Sequence, residues 1–79
     1  WVPATAGFDY RKKLGRTEFA PARVIGRDEQ GRAIVTMLGR GSSASLLAMA
    51  QADGLAILAP DREAISPGMP LRFEPFGWI

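Results

Sequence analysis

The apolar positions change their period several times along the chain. Residues 22–27, ARVIGR, and 32–38, RAIVTML, are extended-type runs, the second rich in β-branched residues. Between them lies DEQG, whose Gly31 is free to take a positive φ. This spacing predicts a β-hairpin. Residues 55–59, LAILA, form a wholly apolar run suited to a buried strand. After a turn signal at Ser66-Pro67-Gly68, residues 69–74 alternate. Met69, Leu71 and Phe73 fall on one face, and Pro70, Arg72 and Glu74 on the other. A short extended run is expected from Gly15 to Phe19, with Pro21 limiting its pairing because proline has no N–H to give a ladder.

Helical spacing occurs only near residues 43–53. Leu46, Leu47, Met49 and Ala50 repeat at three- and four-residue intervals and predict one apolar face. Ser42 or Ser43 suits the N-cap, and Gly54 suits a left-handed C-terminal position, with Asp53 before it as a turn or cap residue. A helix of about two to three turns needs tertiary packing to persist. Residues 1–13, with Pro3, Gly7 and mixed polarity, are expected to form a lead-in segment with little regular structure. The fold class is therefore mainly β, with several short strands, proline- and glycine-rich turns and one short helix.

Composition narrows the chemistry. The chain has 79 residues, the size of one domain. It contains no cysteine and no histidine, so disulfides, thiolate chemistry and the usual near-neutral general base are excluded. An independent hydrolase is not expected. The net charge is +2, and Arg11, Lys12 and Lys13 form the one basic run, read as a solvated segment. No stretch approaches the roughly 18 apolar residues of a membrane span. The longest candidate, Ala44 to Pro60, is broken by Gln51, Asp53 and Gly54. A cytoplasmic domain with no membrane partner is expected. The chain begins with Trp1, which suggests a piece of a longer protein or one trimmed of a tag.

Residues 39–60, GRGSSASLLAMAQADGLAILAP, raise the sharpest chemical question. A glycine- and serine-rich turn that opens a helix either holds an anion on its free N–H groups or merely caps the helix. It is not a phosphate-binding Walker loop, because no Gly-Lys-Ser/Thr follows. Arg16, Arg23 and Arg40 could join the turn if the strands converge, since arginine grips oxyanions bidentately. Spacing alone leaves both readings open. The carboxylates are scattered, and no catalytic pair of them is apparent.

Three motifs in order carry a resemblance. They are KKLGRTEF at 12–19, GRGSSASLLAMAQADGLAIL at 39–58 and ISPGMPLRFEPF at 65–76. Together they resemble the C-terminal domain of molybdopterin molybdenumtransferases, the MoeA and gephyrin E-domain family. The resemblance implies a bent β-ribbon or incomplete barrel, the β-clip, over residues 14–79, following a lead-in from a preceding domain at 1–13. It implies one part of a homodimeric enzyme that inserts molybdate into adenylylated molybdopterin and releases AMP, with Mg²⁺ assisting. The active cleft would combine this domain with another domain of the second subunit, and the isolated chain would be inactive.

In this region the family supplies an arginine two positions after the G-R-x-E-F phenylalanine and a serine in the Gly-Ser turn. The serine falls on Ser43, with Ser42 where glycine is usual. The arginine position is occupied by Pro21, and Gly41 stands where glutamine is frequent. Arg23 lies two residues beyond Pro21, on the same side of an extended segment, and is the expected substitute. Ser43, Ser42, Arg23, Arg40 and Arg16 are therefore the expected molybdate-facing residues. The contrasting expectation is a binding or structural module of a divergent relative that lost the molybdate site, which Pro21 and Gly41 favour. A nucleic-acid barrel is not expected, for want of surface aromatics that stack bases.

Overall fold

The computed structural model describes residues 1–39 and 46–77. Its elements are β1 (Val2–Ala6), β2 (Tyr10–Arg11), β3 (Glu18–Arg27), β4 (Ala33–Met37), α1 (Leu46–Gln51), β5 (Gly54–Leu58), β6 (Ala64–Ile65) and β7 (Pro70–Pro75). Five strands close into a barrel in the order β1-β4-β3-β5-β7, while β2 and β6 pair as a separate two-stranded ribbon. All pairings are antiparallel except β1 with β4. The architecture is mainly β with one short helix among the described residues, as the pattern predicts, and the barrel is closed where the resemblance implies a bent ribbon or incomplete barrel.

The hairpin forms as its sequence indicates. β3 and β4 pair from Ala22↔Met37 to Arg27↔Ala33, with a bulge between Val24 and Gly26. Gly31 takes φ 81° and donates to the Asp28 carbonyl at 3.0 Å. The Asp28 carboxylate fastens the hairpin tip. Its Oδ1 accepts from the Gln30 and Arg32 amides at 3.0 and 2.9 Å, and its Oδ2 accepts from the Thr5 hydroxyl at 2.7 Å. The tip is thereby tied to β1.

The Thr5 hydrogen bond, with the two amides and the Arg32 charge behind it, holds the Asp28 carboxyl below its ordinary value of 3.8. A lowered folded-state value means this stabilisation is complete above pH 3.8 and is lost as pH falls further through the folded value. The melting temperature of the unchanged chain should therefore fall more steeply below that pH than that of Asp28→Asn. Parallel pH profiles for the two proteins would remove Asp28 as a source of acid sensitivity.

The barrel interior is narrow, and small side chains fill it. Ala4, Ala6, Ala22, Ala33, Ala56, Val35, Leu58, Ile65 and Phe73 form one buried cluster. Among the described residues, Phe73 is the largest fully buried side chain. Large residues on β3 instead point outward, including Phe19 and Ile25. A five-stranded barrel leaves room for little more than its own side chains, so alternation of small and large residues matches its taper.

Several expectations need correction. Residues 1–13 are not irregular: β1 is a full barrel strand between β4 and β7, and β2 pairs with β6. Pro3 is tolerated because it precedes Ala4, where pairing with β4 begins, so one edge of the strand is open there. Pro21 does not limit its strand, and β3 pairs on both sides of it. Its carbonyl accepts from Leu38 N at 2.8 Å, so its missing donor faces the end of β4 rather than β5.

The predicted helix face is also different. Ala48 is buried, while Leu47, Met49 and Ala50 are exposed, and the Leu46 side chain lies outside the described residues. The helix packs against β3, where Pro21 is fully buried, and a small side chain permits that approach. Gly54 is not a left-handed cap but the first residue of β5, and its need for glycine is one of space. Finally, surface aromatics are present: Trp1, Phe19 and Phe76 are exposed.

Candidate functional site

The segment 39–46 leaves and rejoins the barrel at one place on β3. At its start, Leu38 N donates to the Pro21 carbonyl, and Gly39 turns the chain with φ 77°. At its return, α1 lies on β3 and Asp53 N donates to the Ala22 carbonyl at 2.8 Å. The Asp53 carboxylate then accepts from Val24 N at 2.8 Å. Pairing of β3 with β5 ends at Ala22↔Gly54, so this carboxylate extends the ladder by one donor. An acceptor side chain followed by glycine thus has a structural reason here, in place of the turn or cap role expected of Asp53.

Arg23 sits in the middle of that junction. It is exposed, pairs by register with Thr36 and has no carboxylate within ion-pairing distance among the described residues. The structure therefore places Arg23 beside both anchor points of the segment. Ser42, Ser43 and Arg40 lie outside the described residues. Pro21, at the position where the resemblance implies an arginine, is buried and offers neither charge nor N–H donor.

Arg16 is not brought to Arg23. It lines an open groove of about 770 Å³ with Tyr10, Arg11, Lys12, Lys13, Thr17, Glu18 and Phe19. The groove begins before β3, and Glu18 and Arg23 are already about 16 Å apart along that strand at about 3.3 Å per residue. Tyr10 donates its hydroxyl to Glu18 at 2.8 Å, and this bond, with burial and the Glu18 charge, raises the Tyr10 pKa above 10.0. The basic run is not wholly solvated: Lys12 is only 6% exposed. The run itself was the signal for this groove. What sequence could not supply was the pairing of β2 with β6, which folds the run back onto residues 60–63.

Among the described residues, no three His, Cys, Asp or Glu side chains stand close enough to hold a metal ion. Nor is any described helix long and apolar enough to cross a membrane.

Fold and site together define a small closed β-barrel domain in which residues 38–53 connect β4 to β5, the third and fourth barrel strands in chain order. The family model for the MoeA C-terminal region (domain IV) matches residues 3–76, and the chain belongs to that family. A search of the curated proteins found no match. Membership sets the chain in molybdenum cofactor biosynthesis.

Proposed function

We propose that the chain is the C-terminal domain of a cytoplasmic, homodimeric enzyme that inserts molybdate into adenylylated molybdopterin and releases AMP, and that it lines the active cleft where two subunits meet. The observation that carries this reading is the family match across residues 3–76. The position of Arg23 supports it, because this exposed arginine adjoins the segment that bears Ser42, Ser43 and Arg40.

The chemistry asked of these residues is binding and orientation. Molybdate is a tetrahedral dianion. The Arg23 guanidinium would take two of its oxygens in a bidentate grip, and the serine hydroxyls would donate to others. Partial neutralisation and a fixed orientation would present the molybdenum to the dithiolene. No described group here serves as a general base, and residues of other domains would complete the cleft.

The test uses the full-length enzyme, with adenylylated molybdopterin and Mg²⁺ supplied and AMP followed as molybdate is varied. Saturable release is expected. Arg23→Gln should raise the half-maximal molybdate concentration about ten-fold, the scale of one charge-assisted hydrogen bond. Arg27→Gln, at the hairpin tip, should not. Equal molybdate dependence in Arg23→Gln would exclude Arg23 from the site. No release from a folded, dimeric protein would favour the second reading, a binding or structural module whose molybdate site is lost. One observation supports that reading, the buried Pro21 at the position of the family's arginine.

A further inference from the structure

The groove before β3 has a different character from the junction around Arg23. Four of its eight lining residues are basic, Arg11, Lys12, Lys13 and Arg16, against one acid, Glu18. Glu18 is already engaged by the Tyr10 hydroxyl. None of the four cations has a carboxylate within ion-pairing distance among the described residues.

Lys12 is the unusual member. The residue is 6% exposed, and its ammonium donates to two neutral carbonyls, Lys13 O at 2.7 Å and Arg62 O at 3.0 Å. Lysine has three ammonium donors, so the two carbonyls leave one unused. Burying a cation against neutral groups alone costs free energy that an adjacent anion would offset. The ammonium is also held in place. Lys12 N donates to Glu63 O at 2.9 Å, Gly15 N donates to Pro60 O at 2.8 Å, and β2 pairs with β6 just before it. A fixed cation sharing one groove with three exposed ones, Arg11, Lys13 and Arg16, is a charge arrangement suited to an oxyanion.

The volume is that of a small-molecule site, and Phe19 contributes an exposed aromatic face at its rim. We propose that this groove binds a small molecule bearing a diphosphate or an equivalent pair of phosphate charges, with Lys12 as the fixed contact and Arg11, Lys13 and Arg16 closing around it. The proposal does not depend on transferase activity or on Arg23.

Inorganic pyrophosphate and ADP are the probes, titrated into the 79-residue chain at low ionic strength and followed by backbone amide NMR. Saturable shifts confined to residues 10–19 and 60–63 are expected. The double variant Lys13→Gln/Arg16→Gln, at two exposed positions, should weaken binding at least about ten-fold, at about 1.4 kcal/mol per decade. Arg27→Gln should leave it unchanged. Tighter binding of ADP than of pyrophosphate, lost in Phe19→Ala, would identify the ligand as a phosphate ester stacked on the ring. Equal binding of the two would identify the free diphosphate. The proposal is overturned if no saturable shift occurs, if the shifts centre on other residues, or if Arg27→Gln weakens binding as much as the groove variants.

Discussion

Gly54→Ala is expected to destabilise the fold by about 3 kcal/mol, the upper part of the range for overpacking a closed core. An added Cβ would lie 2.7 Å from Phe73 Cζ and 2.8 Å from Pro75 Cα, with the Glu74 carbonyl oxygen closer still. Two of those three atoms are backbone of β7, which is paired with β5 at this point through Gly54↔Pro75. The strands cannot separate without losing the pairing that closes the barrel. Gly26→Ala is the matched control, because a Cβ there meets nothing within 4 Å and its φ is not positive. That variant should stay within about 0.5 kcal/mol of the unchanged chain, as surface substitutions usually do. Urea unfolding of the three proteins measures both effects. A Gly54→Ala loss no larger than that of Gly26→Ala would show that β5 and β7 are not so closely apposed.

Phe73→Ala should cost more, about 3–5 kcal/mol. The ring is fully buried, and the residues in its cluster are mostly alanines. Alanine has no rotamers with which to fill a void, so the cavity would persist and most of the penalty with it. In a domain of this size that loss approaches the whole folding free energy. Phe73→Leu separates cavity from collapse: it should remain folded with an intermediate midpoint. Combining Phe73→Leu with Gly54→Ala should not restore stability, because removing the Cζ atom leaves the two β7 backbone atoms in the way. Full recovery in the double variant would locate the crowding in the ring alone.

How much of this was legible in the sequence follows from where the large side chains point. The β3–β4 hairpin, the LAILA strand and the alternation of Leu71 and Phe73 were readable, because β-branched and other large apolar residues run through them and a glycine turn separates the hairpin strands. β1 and the first half of β3 were not. Their inward positions are Ala4, Ala6, Ala20 and Ala22, which carry little hydrophobic signal, while Phe19 and Ile25 mark the outer face. The helix misled for the same reason, since Ala48 makes the buried contact and Leu47 and Met49 do not.

For the site, Arg23 was legible as the residue sharing a strand face with Pro21. Its relation to Asp53 and to the anchors of the 39–46 segment required the pairing of β3 with β5. Arg16 was grouped with Arg23 by residue type, and the start of β3 separates them. Lys12 lay within a run that looks solvated, and only its carbonyl partners, one of them on residue 62, show that it is not.

The parallel contact between β1 and β4 has a consequence for how the domain is built in time. β1 is the first strand of the barrel in the sequence, yet both its partners come later: Ala4 pairs with Ala33 on one side and Leu71 on the other. The β3–β4 hairpin closes over a four-residue turn and can form early and locally. The barrel is completed only when residues 2–5 meet residues 70–73, nearly the full length of the described chain away. Long-range closure of this kind places the domain among slow-folding topologies, and until β7 arrives the alanine face of β1 has nothing to cover it.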